Sequence, residues 1–165
     1  MTDESRKNVF DWDASFMGDA FMTSFRSKDP STQVGAVLVN SDHRIVSTGY
    51  NGTPKRMNDE DFPWGKDSDD PLETKYPYVI HAERNAILNT EGPLSELKDG
   101  TAYVTLFPCH ECMKSLAQAG INRVVYYNGP RCNDIDSMAT ERIAMMCGIT
   151  LEQYHPMGHT VTVLL

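Results

Sequence analysis

Long apolar runs are missing from this sequence. No stretch approaches the roughly 20 consecutive apolar residues that a membrane-spanning helix needs. Met1 to Asn8 are polar and charged where a secretory leader would be apolar. The expectation is a cytoplasmic protein with no membrane partner. Basic residues are also in short supply, with 15 Lys and Arg against 23 Asp and Glu and a net charge of −8. Proteins that hold long nucleic acid rely on a basic surface that displaces counterions from the phosphates, so no polynucleotide partner is expected. A small anionic ligand, which needs only a few local cations, stays compatible with that charge. Cysteine is scarce, with four copies: Cys109, Cys112, Cys132 and Cys147. In a reducing compartment a close Cys pair binds metal or does redox chemistry more often than it forms a structural disulfide. Cys132 and Cys147 lack evident partners and read as ordinary buried or half-exposed thiols.

What is present is enough for one globular domain, residues 1–165, with 40% hydrophobic and 23% charged residues. Trp12, Phe16, Met17, Ala20, Phe21 and Phe25 recur at helical spacing, so residues 11–27 read as an amphipathic helix. Pro30 ends it, because proline disfavours helix in the residue before it. Residues 34–39 and 45–50 read as two strands of a hairpin around the Asn40–Asp42 turn. Residues 51–79 form a long stretch of little periodicity, dense in Asp and Glu from Asp59 to Glu73. A loop of that length in a small domain is functional or disordered, and a solvated acidic insertion is the plain reading of its composition. Regular pattern then returns: helix 81–89, strand 101–106, helix 109–119, strand 123–127, helix 136–147 and strand 150–154. Alternating strands and helices predict an α/β sandwich around a central sheet. Gly120 and Gly148 follow their helices where a left-handed cap is wanted. The tail alternates Val161, Val163 and Leu165, as an edge strand or subunit contact would.

Three groups carry the chemistry: His81-Ala82-Glu83, Pro108-Cys109, and Cys112. One imidazole and two thiolates suit zinc, a borderline-soft cation without redox chemistry. Three protein ligands leave the fourth tetrahedral position open to water, whose pKa zinc lowers toward ~7. Cys109 and Cys112, three apart at a helix start, can point the same way, and the positive end of the helix favours thiolate. His81 opens the other helix. Both helices are expected to follow apolar strands and to converge at the end of the sheet where α/β proteins bind ligands. Alone, C-x-x-C is structural zinc, redox or chance, and H-x-E is a helix-surface pair. A structural zinc would need a fourth ligand; His110 would have to turn toward the metal, and His155 and His159 lie in a loop or tail. A redox role for the two Cys leaves His81 and Glu83 unexplained.

The order H-x-E then P-C-x-x-C is that of the zinc nucleobase deaminases, in which Glu is acid and base rather than ligand. Beyond that motif, Ser31–Val39 (STQVGAVLV), Gly49–Pro54 (GYNGTP), Lys75–Leu88 (KYPYVIHAERNAIL) and Leu106–Met113 (LFPCHECM) resemble the deoxycytidylate (dCMP) deaminases of the cytidine/deoxycytidylate deaminase family. These stretches spread over residues 25–155. The zinc motif alone would equally fit cytidine, guanine, tRNA-adenosine or riboflavin-pathway deaminases; GYNG and the lead into H-A-E narrow the match. The resemblance implies a cytidine-deaminase-like three-layer α/β/α sandwich with a five-stranded mixed sheet. It implies hydrolysis of dCMP to dUMP and ammonia, supplying dUMP for thymidylate synthesis. One zinc per chain would sit on His81, Cys109 and Cys112, with Glu83 as proton shuttle. Ala82 would contact the pyrimidine edge, and the segment around Ser27, Lys28 and Asp29, with Asn51, would approach the nucleotide. The resemblance further implies a homohexamer activated by dCTP and inhibited by dTTP. Gly49, Tyr50, Asn51 and Gly52 would help form that regulatory site, and Mg2+ could accompany a bound nucleoside triphosphate. Some relatives carry a second, structural zinc on the long loop; residues 53–77 here contain neither Cys nor His, so that site is expected to be missing.

Each of these has a plainer counterpart. Asn51-Gly52 after a strand is strong turn chemistry without any ligand, and Lys28 and Arg56 read equally as surface charge. Arg84 or Asn85 could face substrate or a neighbouring subunit. The rival substrates are dCTP and deoxycytidine, and the rival from another class is a non-catalytic zinc or nucleotide-binding module.

Overall fold

Small and β-branched residues let the central strands pack on both faces. In the computed structural model, which describes residues 5, 7, 9–130, 134–158, 160 and 162, five strands form one sheet. They are β1 (Gly35–Val39), β2 (Ile45–Tyr50), β3 (Thr101–Leu106), β4 (Arg123–Asn128) and β5 (Thr150–Gln153). Their order is β2-β1-β3-β4-β5; β1 runs antiparallel to both neighbours, and β3, β4 and β5 are parallel. The sheet is therefore mixed, as expected. Four α-helices flank it: α1 (Trp12–Ser24), α2 (Ala82–Leu88), α3 (His110–Gln118) and α4 (Ile135–Cys147).

Strand alternation sorts the core into two layers. Val37, Val39, Tyr103 and Val125 pack with Phe16, Met17 and Ala20 of α1. Ala36, Leu38, Ala102, Val104 and Val124 pack with Ala82, Ala86, Met113, Leu116 and Ala144 of the other helices. One helix thus covers one face, and three helices cover the other. Both faces are dry, so the middle of the sheet reads as an unbroken apolar run; every residue of β1 is buried.

Helix α1 stops at Ser24 rather than Ser27. The hydroxyls of Thr23 and Ser24 turn back to accepting carbonyls at Asp19 and Phe21, and the Arg26 and Ser27 amides take three-residue bonds to Thr23 and Ser24. Such local bonds compete with helix continuation. Phe25 consequently lies outside the packed stripe and is exposed, and exposed Trp12 instead stacks on His43 with ring centroids 4.8 Å apart. The caps expected at Gly120 and Gly148 are present, at φ 93° and 68°. Cys147, at the end of α4, is exposed rather than buried or half-exposed. Cys132, His159 and the alternating Val161, Val163 and Leu165 fall outside the described residues.

The long 51–79 segment is not a uniformly solvated insertion. Its acidic stretch, residues 67–73, is exposed, yet Phe62, Thr74 and Lys75 are buried. Phe62 packs against Trp64 and Tyr78, and the Trp64 indole N–H donates to the Asp59 carbonyl at 3.2 Å. Lys75 forms a buried ion pair with Asp29, 46 residues earlier. Helix α2 therefore follows this segment and not a strand, contrary to the sequence expectation; only the Gly52–Ile80 bridge leads into it.

What holds α2 in place is an unusually close approach to β2. A Cβ built on Gly49 would lie 2.2 Å from the Ala86 nitrogen and 2.4 Å from the Ala82 carbonyl oxygen. From the same helix, Asn85 and Asn89 donate side-chain N–H groups to the carbonyls of Tyr50 (2.9 Å) and Thr48 (3.0 Å). These bonds cover the open edge of the sheet that β2 would otherwise present. Gly49→Ala should force the helix away at a cost of about 3 kcal/mol. In a chain of this length that lowers the thermal midpoint by roughly 6–12 °C; an unchanged unfolding curve would show that the contact yields freely.

Candidate metal centre and active site

Two helix starts bring the three soft side chains together. The β3 strand ends against β4, where the Phe107 N–H donates to the Asn128 carbonyl at 2.8 Å. The chain then turns through Pro108, whose carbonyl accepts from the buried Thr140 hydroxyl of α4 at 3.1 Å. Cys109 is the N-cap of α3, its sulfur accepting from the Cys112 N–H at 3.5 Å. His81 is the N-cap of α2 but makes no side-chain cap bond. Its ring is thereby left to face the sulfurs: Nδ1 lies 3.4 Å from both Cys109 Sγ and Cys112 Sγ.

These separations fit zinc. Tetrahedral bonds of ~2.05 Å to nitrogen and ~2.3 Å to sulfur put the two atom types about 3.6 Å apart. The three ligand atoms all lie within 4.8 Å of one another, with Cys112 buried, Cys109 half-buried and His81 exposed. His81 and Cys109 also line a pocket. Among the described residues no further group joins the cluster: His110 turns away to Asp136 and Glu111, and His155 is exposed elsewhere.

The electrostatics prepare the site for a cation. Donation from the Cys112 thiol, opposed by burial and aided by His81, lowers the Cys109 thiol to about 3. Cys112 is raised in return, by its bond to Cys109 and by burial. Metal binding displaces whatever protons the two thiols still hold. Glu83, in the first turn of α2, is 4% exposed. Burial raises its carboxyl above the usual range, with the His81 imidazole pulling the other way. A carboxyl shifted toward neutrality is suited to giving and taking a proton.

A pocket of about 300 Å3 opens over this group and is lined by His81, Ala82, Glu83, Cys109 and Asn51 among others. That is the lower end of the range for small-molecule sites. Ala82 is buried at the first position of α2, beside the metal ligands. Asn51 is buried, and its side chain is committed: Oδ1 accepts from the Val34 N–H at 2.8 Å, and Nδ2 donates to the Thr32 carbonyl (2.9 Å) and Asp29 (3.3 Å). Ser27 does not line the pocket; its hydroxyl donates to the Asn51 carbonyl at 2.8 Å. Lys28 pairs with Asp59 and lines a neighbouring cavity of about 540 Å3 together with Tyr50 and Gly52. The GYNG segment is therefore divided: Gly49 is under α2, Asn51 faces the metal pocket, and Tyr50 and Gly52 face the second cavity. Nor is it a tight turn, because Gly52 exchanges backbone bonds of 3.1 and 2.9 Å with Ile80.

Sequence reasoning missed Lys75 and Lys66, which line the metal pocket from the long segment. Lys75 held a faint signal as a lysine within an apolar-aromatic run. Its partner Asp29 also accepts from the Ser31 and Thr32 amides (2.8 and 3.2 Å). Burial alone would raise the Asp29 carboxyl, but Lys75 and those amides outweigh it and lower it.

Comparison with known proteins agrees with this arrangement. The cytidine and deoxycytidylate deaminase zinc-binding region matches residues 10–128. Human deoxycytidylate deaminase is 40% identical over 153 residues, covering 93% of this chain and 85% of the human one. A probable deoxycytidylate deaminase of Drosophila melanogaster is 42% identical over 163 residues, 96% of this chain and 79% of the relative. The crystal structure of dCMP deaminase from the cyanophage S-TIM5, in complex with dCMP and dUMP, superposes with a TM-score of 0.67 at 26% identity, covering 85% of this chain and 94% of that one. No described helix is long and apolar enough to cross a membrane.

Removing one buried sulfur should abolish the centre. Purified Cys112→Ala is expected to hold less than a tenth of the zinc that the parent chain holds by elemental analysis, since two ligands cannot close the site. Retention of parental zinc would place the metal elsewhere.

Proposed function

Because the chain belongs to the cytidine and deoxycytidylate deaminase family, we propose that it hydrolyses dCMP to dUMP and ammonia at the pocket over His81, Cys109 and Cys112. The observation that carries this reading is Glu83, a buried carboxyl on the same helix turn that presents His81 to two cysteine sulfurs. A structural zinc site has no use for such a group beside an open coordination position.

When bound, zinc supplies Lewis acidity that makes water nucleophilic near neutral pH. Glu83 takes the proton of the attacking water and delivers it to ring N3 as oxygen bonds to C4. It then carries the second proton to the amino group, which leaves as ammonia while the C4 carbonyl forms. Ala82, at the start of α2, presents backbone to the pyrimidine edge. Asn51 also lines the pocket, steadied by Asp29 and Thr32, with Ser27 acting through the Asn51 carbonyl rather than on the nucleotide.

Regulation belongs to the same reading. The second cavity brings Arg26, Lys28 and Lys55 together with Tyr50 and Gly52, a cationic and aromatic lining suited to a nucleoside triphosphate. dCTP is assigned there as activator and dTTP as inhibitor, with Mg2+ accompanying the phosphates, in a cytoplasmic homohexamer of this single zinc-dependent domain. The cavity shares the GYNG segment with the catalytic pocket, so an effector bound in it would bear on Asn51 through adjacent backbone.

Glu83→Gln keeps shape and removes the proton carrier. It should retain zinc and lose roughly 10²- to 10⁴-fold in kcat on dCMP, read as loss of cytosine absorbance. Parental turnover by this variant would take the role away from Glu83. In the same assay dCMP should exceed deoxycytidine and dCTP as substrate and respond to added dCTP; indifference to dCTP would remove the regulation and leave the enzyme.

A further inference from the structure

Of the two sulfur ligands, Cys112 lies inside α3 and Cys109 lies just before it. Cys109 is the N-cap residue, with extended backbone at φ −72° and ψ 164°. The direction in which its sulfur leaves the chain therefore depends on the peptide that joins it to Pro108. A peptide unit is planar, so a fixed Pro108 carbonyl also fixes the plane that carries the Cys109 nitrogen and Cα.

Pro108 is buried, and without an N–H of its own it gives the fold a carbonyl only. A buried carbonyl needs a donor. One arrives from 32 residues further along the chain: the hydroxyl of Thr140, which is 0% exposed, donates to it at 3.1 Å. The same hydroxyl lies 3.1 Å from the Asp136 carbonyl one turn back in α4. That second contact is ordinary for a threonine inside a helix and would satisfy the hydroxyl by itself. The bond to Pro108 is thus not required by α4; it serves the loop in front of α3.

Helix α4 is a firm support at this point, because Ala144 is buried in one core cluster with Met113 and Leu116 of α3. Cys109 is bracketed from its other side as well, where the His110 ring lies against the Asp136 carboxylate. That pair is open to solvent, with side chains 34% and 51% exposed, and exposed pairs hold weakly. The Thr140 bond is dry, and its loss would strand a buried carbonyl. Of the two ties, it is the one that decides where residue 109 sits.

We propose that Thr140 is a positioning residue of the metal centre: through the Pro108 carbonyl it orients the Cys109 peptide and so tightens the hold on zinc. The assignment rests on the metal centre and not on the choice of substrate, and it is read on the metal alone.

The test compares the zinc-loaded parent chain with two variants. Thr140→Val keeps the volume and removes the hydroxyl, whereas Thr140→Ser keeps the hydroxyl and removes a methyl group. Zinc affinity is measured by competition with a chromophoric chelator, and ligand geometry by the visible absorption of the cobalt(II)-substituted protein. Groups that orient metal ligands typically change affinity by roughly 10- to 100-fold. Thr140→Val should weaken zinc by that factor, at least fivefold, and shift the cobalt–thiolate bands. Thr140→Ser should stay within threefold of the parent and keep the parental bands. A role in packing alone would give the reverse order, or weaken both variants equally, and either result would overturn the assignment. So would a loss below fivefold or parental bands in Thr140→Val. If Thr140→Val does not fold, Thr140→Ala takes its place under the same limits.

Discussion

The site depends on how closely α2 can lie against the edge of the sheet. His81 comes within 3.4 Å of the two sulfurs only because α2 rests directly on β2, and that contact is possible because residue 49 has no side chain. Gly35 plays the matching part on the other face, where a Cβ would fall 1.9 Å from the Ala20 carbonyl oxygen of α1. Ala36, Ala82, Ala86 and Ala102 continue the theme, all of them essentially inaccessible. Interiors packed at crystal density transmit small displacements. A methyl group in the wrong place would therefore move a metal ligand that is fixed nowhere else in sequence.

Charge is handled by pairing each buried group before it can do harm. Burying an isolated ion is costly unless it is paired and hydrogen-bonded. Asp29 answers this with Lys75, two backbone amides and Asn51. On the surface above α1, Arg123 bridges Asp13 and Glu152, with Asp13 held below its usual range chiefly by that guanidinium. Glu83 is the exception: buried, raised by burial, and accompanied by metal ligands rather than by a dedicated cation. A buried carboxyl raised by desolvation in a pocket is a candidate functional group on physical grounds.

The local parts of this architecture were legible in sequence because their causes are local. The i, i+3 spacing of Cys109 and Cys112 at a helix start, Gly148 after α4, and the β-branched run that became β1 all act within a few residues. The ligand triad itself could be named because zinc chemistry restricts the residue types. What stayed hidden involves pairing across distance. Asp29 and Lys75 are 46 residues apart, and composition alone made the segment between β2 and α2 look like solvent-facing acid. Its aromatic clasp of Phe62, Trp64 and Tyr78 has no period to betray it. The GYNG segment showed the same limit: its Asn-Gly pair read as a turn, whereas its bridge to Ile80 and its division between two cavities come only from tertiary packing. Phe25 failed for a third reason, since the hydroxyls of Thr23 and Ser24 ended α1 before the apolar stripe did.

The central claim is that one zinc per chain, held by His81, Cys109 and Cys112 beside Glu83, supports hydrolysis of dCMP. It is tested most directly by stripping the protein of metal with a chelator and titrating zinc back while following dCMP turnover. The account predicts no turnover in the stripped chain and a linear recovery that stops at one equivalent. Turnover without metal, or recovery that continues to a second equivalent, would contradict it.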